Sequence, residues 1–258
     1  DPAASTYYEE RRFSLPAYGR ARVVELTRAT GGVAERLRAQ VRRSARRRRL
    51  VEGYVDNQYG GDLGDLEVSS DWAEPVQVEL EVLDARAGRV ELHRAQVALS
   101  LAPLFGWLPP VVRDAALAPA EPEDDAGRRR RIAAAYVVTR EGPVVLPRPY
   151  SAELRFEIDA PPGFEPVDRP PDRRLRLGPA EFSSSFVARP GGLTAIMRFD
   201  SGPAEIAADE LRALAAGLRN LWSEPAGVIE LRHRATLEAT EGDVGESLRR
   251  FAEIARDH

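Results

Sequence analysis

Residues 151–159 read SAELRFEID, and in this stretch Leu154, Phe156 and Ile158 alternate with Glu153, Arg155 and Glu157. A period of two sends one set of side chains to each face of a pleated backbone, so the segment encodes a half-buried β-strand. The same rule recurs along the chain. Val76, Val78, Leu80 and Val82 alternate with Gln77, Glu79 and Glu81, and a loop over residues 84–88 leads to a return strand that starts at Val90 and Leu92. The apolar phase then moves to Val97, Leu99 and Leu101, which predicts a bulge near Arg94 and Ala95. Ile132, Ala134, Tyr136 and Val138 mark a further strand, and GRARVVELTRAT one that ends at Gly31 and Gly32. Phe182 and Phe186 belong to a hairpin that turns at Pro190, Gly191 and Gly192 and returns through Leu193, Ala195, Met197 and Phe199. Ile229, Leu231, His233, Ala235 and Leu237 make a long last strand. Half-polar strands favour antiparallel pairing. The expected fold class is therefore mainly β with a few helices, an antiparallel β-sandwich-like architecture.

Helical spacing appears in three places. Val33, Leu37, Val41 and Ala45 predict a helix near residues 32–52, Arg-rich on its other faces. Leu211, Leu214, Leu218 and Leu221, with Asp209 and Glu210 at the start, predict another near 208–223. Val244, Leu248, Phe251 and Ala255 predict a C-terminal helix. DNQYGGDLGD, residues 56–65, has turn chemistry throughout. The expected organisation is a lead-in over 1–19, a strand, helix and hairpin half over 20–102, an irregular Pro-, Ala- and acid-rich connection over 103–130, a sandwich half with an inserted helix over 131–238, and a helical tail over 239–258. Disorder is expected around residues 119–127.

The chain has 258 residues, long enough to bury a real core, and no run of about 18 to 20 apolar residues of the kind a membrane helix needs. It has no cysteine, which removes thiol nucleophiles, disulfides and thiolate metal sites. All 37 basic residues are arginine, as a GC-rich coding sequence produces, and the net charge is -4. The acidic total and the lack of aromatics within RRSARRRR argue against a nucleic-acid partner. Arg42, Arg43, Arg46 and Arg47 are instead candidates for binding a protein or an acidic polymer, beside the plainer reading of a solvated helix face. Asp56, Asn57, Asp62 and Asp65 miss the EF-hand spacing, and the glycines match neither dinucleotide nor P-loop fingerprints. No metal, cofactor or catalytic residue is therefore assigned. His93 and His233 read as sheet residues, and Ser183 to Ser185 lie within a strand. A Ser-His-Asp hydrolase assembled in space would have to use one of those histidines. Trp72, Trp107 and Trp222 are candidates for a sugar platform or, more simply, for plugs at element ends.

The order of elements resembles a known family. ELTRATGGVAERLRAQV, GDLGDLEVSSDWAEPVQVELEV, TREGPVVLPRPYSAELRFEIDAPPGFEPVDRPP and RPGGLTAIMRF follow the cadence of the region after the papain-like core in bacterial transglutaminase-like proteins with an N-terminal β-rich domain of unknown function. GDVGESLRRFAEIARDH is similar to the second half of a tetratricopeptide unit. The resemblance spans roughly residues 20–257. It implies a non-catalytic accessory region that positions an upstream catalytic core or grips a partner, in the periplasm or cell envelope, with the Cys-His-Asp set outside this chain. A free-standing carbohydrate- or polymer-binding sandwich, or a hydrolase, are the alternatives.

Overall fold

A computed structural model of the protein describes residues 5–41, 47–69, 74–118, 124–146, 148–167, 169–223 and 227–236. Strand takes 44% and helix 32% of the described residues, so the β-rich expectation holds. The strands are β1 (Thr6–Ser14), β2 (Gly19–Ala29), β3 (Asp62–Val68), β4 (Val76–Val90), β5 (Arg94–Ala98), β6 (Val144–Val145), β7 (Ser151–Asp159), β8 (Phe164–Pro166), β9 (Arg173–Leu177), β10 (Ala180–Arg189), β11 (Gly192–Asp200), β12 (Glu205–Ile206) and β13 (Val228–His233). The helices are α1 (Gly31–Val41), α2 (Arg47–Tyr59), α3 (Ala102–Phe105), α4 (Pro110–Ala116), α5 (Asp125–Thr139) and α6 (Ala208–Ser223).

Eleven strands form one curled sheet in the order β8, β13, β5, β4, β2, β1, β7, β11, β10, β9, with β3 also paired to β4; β6 and β12 make a separate ribbon. Every pair is antiparallel except β1 with β7, which makes the sheet mixed. Residues 6–14, read above as lead-in, are thus a central strand. The quoted strand β7 lies between β1 and β11, and its Leu154, Phe156 and Ile158 are buried as the alternation requires. The hairpin β10–β11 and the helix α6, with Leu211, Leu214, Leu218 and Leu221 buried, also match their patterns.

Several expectations are corrected. Of the helix expected over 32–52, the described residues form α1 and α2, with 42–46 outside the described set, and the helical structure continues past 52 to Tyr59 because Val55 and Tyr59 extend its buried face. DNQYGGDLGD is a turn only around Gly60 (φ 62°): its first four residues end α2, and Asp62 onward is β3. The turn expected over 84–88 lies inside β4, and the chain reverses at residues 91–93. β4 carries an irregularity at Asp84, whose φ is 52°, opposite the register shifts between Arg20, Ala21 and Val23. Such an irregularity bends a strand and sharpens its twist. Val76, Val78, Leu80 and Val82 before it and Gly88 and Val90 after it are nonetheless buried at even positions alike, and the change of phase between Val90 and Val97 comes from the turn at residues 91–93 rather than from a bulge at Arg94 and Ala95. The connection over 103–130 is largely helical, carrying α3, α4 and the start of α5, with residues 119–123 outside the described set. Ile132, Tyr136 and Val138 are not strand residues but exposed positions of α5, whose buried face is Gly127, Ala133 and Val137. Asp124 caps that helix by accepting from the Gly127 N–H at 2.6 Å. β13 stops at His233, and Leu237 and the C-terminal helix lie outside the described residues, as does Trp72. Among the described residues no helix is long and apolar enough to cross a membrane.

One face of the sheet carries the core. Tyr7 and Phe13 of β1, Val23 of β2, Leu80 of β4, Phe156 of β7 and Phe199 of β11 all lie on it. Helices cover that face in two groups, α1 and α2 over β1 to β4, and α3 over β7 and β11 with α4 to α6 packed beside it. A gap remains between the groups.

Candidate functional site

Alternation places four residues in succession on the buried face of β1: Tyr7, Glu9, Arg11 and Phe13. Their antiparallel partners on β2 are Ala29, Thr27, Glu25 and Val23. Two carboxyls and one guanidinium therefore meet in the middle of an apolar face, where an unpaired charge is very costly. Glu9 is 0%, Arg11 1% and Glu25 3% exposed. Arg11 Nε donates to Glu9 Oε1 at 2.5 Å and stands 3.6 Å from Glu25 Oε2. Its guanidinium also lies over the rings of Tyr59 and Phe156, 5.1 and 5.6 Å from their centroids.

Hydroxyls complete the network. Tyr7 donates to Glu9 Oε2, while Tyr54 (2.7 Å) and Tyr59 both donate to Glu25 Oε2. Arg11 Nη2 donates to the Tyr54 hydroxyl at 3.2 Å. Glu25 Oε1, by contrast, has a single long contact, the Thr27 hydroxyl at 3.5 Å. Burial, and then the neighbouring Glu9, push the Glu25 carboxyl up to about 7, against the opposing pull of Arg11 and the two tyrosines. Burial is the largest influence on Arg11 and works against its charge, but Glu9, Tyr59, Tyr54 and Glu25 together outweigh it and hold the guanidinium protonated. Tyr7, Tyr54 and Tyr59 are held un-ionised, foremost by burial.

Above this network opens a cavity of about 800 Å³ in the gap left by the helices. Its floor is Tyr7, Glu25, Thr27, Val78 and Leu80 from the sheet. One wall is Leu37 of α1 with Leu50, Val51 and Tyr54 of α2, and the other is the turn from α3 to α4 with Trp107. Trp107 packs against Tyr7 at 5.4 Å between centroids, and Arg36 lies 5.5 Å over the indole. Arg36, Arg47 and Arg113 also line the cavity, and Glu25 is its only acid among the described residues. Its size and its mostly apolar lining with a few convergent polar groups suit an organic ligand of ordinary size.

Of the arginines singled out from sequence, Arg47 borders this cavity, and Arg42, Arg43 and Arg46 lie outside the described residues. The histidines sit elsewhere: the His233 N–H donates to the His93 carbonyl at 3.1 Å near the junction of β13 with β5, and His233 meets Phe164 edge-on. Ser183 lines a shallow hollow with Glu153, Glu181 and Arg198, several strands away from both histidines. Asp56 and Asn57 end α2 while Asp62 and Asp65 are on β3. Trp222 is a plug against Phe105. The buried triad was missed because EERR at residues 9–12 looks like solvated charge. The available signal was phase, since Glu9 and Arg11 share their parity with Tyr7 and Phe13, and Glu25 shares its parity with Val23. Searches of family models, curated proteins and solved structures find no match to this chain.

Proposed function

We propose that this chain is a non-catalytic binding module, an accessory β-rich region of a transglutaminase-like protein of the bacterial cell envelope, which holds a small ligand or the end of a partner in the cavity over β1, β2 and β4. The observation that carries the reading is the cavity itself, an open apolar space of about 800 Å³ floored by a buried carboxyl in an otherwise filled sheet face. The lack of any cysteine, which denies the chain a thiolate of its own, and the cadence shared with the family region add support.

The test is saturable binding of 8-anilinonaphthalene-1-sulfonate, whose apolar rings and anionic group match the walls and their arginines. One site per chain is expected, lost in Leu37→Trp, which fills the cavity from α1, and retained in Val187→Trp on the exposed side of β10. Absence of a saturable site, or equal binding by both variants, refutes the binding assignment. Labelling of the purified chain by a serine-reactive fluorophosphonate refutes the non-catalytic one.

A further inference from the structure

The lining of the cavity carries charges of both signs that do not compensate each other. At the floor, Glu9 and Glu25 share one guanidinium, Arg11, so with both carboxyls ionised the buried cluster is one positive charge short. Glu25 Oε2 is saturated by Tyr54 and Tyr59, whereas Oε1, with only the long Thr27 contact, retains acceptor capacity beside the cavity. At the wall, Arg36 Nη1 donates to the Trp107 carbonyl and Arg113 Nη1 to the Gly106 carbonyl, each at 3.0 Å. Neither forms an ion pair with a carboxylate among the described residues, although 17 arginine–carboxylate pairs are formed there. Backbone carbonyls thus hold two guanidiniums at the cavity without neutralising them.

We infer that the cavity binds a short apolar peptide with both termini free, its ammonium group on Glu25 Oε1 and Thr27 Oγ1 and its carboxylate at Arg36 and Arg113. This rests on the binding reading above and supplies its ligand class. The ammonium provides the cation the floor lacks, and the carboxylate provides the anion the wall lacks. Leu37, Val78, Leu80 and Trp107 take the side chains between. A charged hydrogen bond made out of water in this way is strong, and an analogue that omits one end leaves a charged protein group unpaired.

Isothermal titration of the chain with L-leucyl-L-leucine at pH 8 and low salt tests this, beside the N-acetylated dipeptide, the dipeptide amide and free L-leucine. The unblocked dipeptide is expected to bind one to one, and each blocked form to bind at least about tenfold more weakly. Glu25→Gln is expected to weaken the free dipeptide as acetylation does and to leave the acetylated one unchanged. Arg36→Gln with Arg113→Gln is expected to do the same for the amide. Should Glu25→Gln not fold, the blocked peptides on the parent chain decide the matter alone. Equal binding by blocked and free dipeptides overturns the inference, and L-leucine binding as tightly as the dipeptide overturns the assignment to a peptide. Dipeptide that fails to bind where the anilinonaphthalene sulfonate does bind, and is lost in Leu37→Trp, sinks the ligand class while leaving the binding module standing.

Discussion

Glu25→Gln separates the electrostatics of the floor from its packing, because glutamine keeps the shape of the side chain and can accept from Tyr54 and Tyr59 but never ionises. The parent carboxyl has its ordinary value of 4.5 raised to about 7 in the folded chain, first by burial and then by Glu9. The folded state therefore holds this proton more tightly than the unfolded state does. Stability from this group is fully present below 4.5, declines across the window from 4.5 to 7, and is lost above it. At 1.36 kcal/mol for each pH unit of difference, the loss is about 3 kcal/mol. The variant is expected to match its parent within about 1 kcal/mol at pH 5 and to exceed it by about 3 kcal/mol at pH 8.

Urea denaturation at intervals from pH 5 to pH 9, followed by tryptophan fluorescence, measures this directly. Other groups titrate over the same range, so the informative quantity is the difference between the two proteins at each pH. A difference independent of pH would show that Glu25 ionises in the folded chain as it does in the unfolded one, and the description of the floor as one cation short would be wrong.

Arg11→Met leaves Glu9 and Glu25 facing each other without a cation, and is expected to cost about 3 to 5 kcal/mol at pH 8 and less at pH 5; adding Glu25→Gln recovers part of the loss, which a double-mutant cycle by urea denaturation reads. Phe156→Ala removes a fully buried ring from β7 and is expected to lower stability by about 3 to 5 kcal/mol in the same assay. Tyr7, Tyr54, Tyr59 and Tyr150 are raised above 10, foremost by burial, so their contribution is present below 10 and is lost as pH rises beyond it. In an alkaline titration followed by tyrosinate absorbance, these four of the seven tyrosines are expected to ionise only as the chain unfolds. Replacing Arg42, Arg43, Arg46 and Arg47 together with Gln is expected to weaken retention on a heparin column and to flatten its salt dependence, if the basic run meets an acidic polymer.

The strands with one wet and one dry face were legible because two properties agreed. In β7, β10 and β11 the period of two is kept by apolar residues, with an aromatic in each strand, and glycines mark the turn between β10 and β11. α6 was legible for the parallel reason, four leucines at helical spacing behind two acids. α5 was not, because Ile132, Ala134, Tyr136 and Val138 imitate alternation while its packing face is made of small residues, Gly127 and Ala133, with Val137. The helix reading of that segment lay in its alanines, which favour helix where a strand would take branched side chains. Register between distant segments is not written locally, so the parallel pairing of β1 with β7 and the meeting of Arg11 with Glu25 were beyond sequence reasoning. The cavity depends on how two groups of helices sit on one sheet, and no spacing along the chain encodes that.

Glu9 and Glu25 provide an internal comparison for what the floor is for. Both are acids on the same face of adjacent strands, and both are excluded from solvent. Glu9 has an oxygen for each of two strong donors, Arg11 on Oε1 and Tyr7 on Oε2, and it does not border the cavity. Such an arrangement needs nothing further and explains itself as a structural ion pair. Glu25 has both its tyrosines on one oxygen and turns the other toward Thr27 at the cavity floor, and with its carboxyl pushed up to about 7 its ionisation is expected to cost about 3 kcal/mol of a stability that in a domain is only about 5 to 15 kcal/mol in total. A glutamine at this position would satisfy the same tyrosines without that loss, so packing alone gives no reason for a carboxylate here. A cation that enters the cavity gives one, because it would supply the missing charge and restore what ionisation removes.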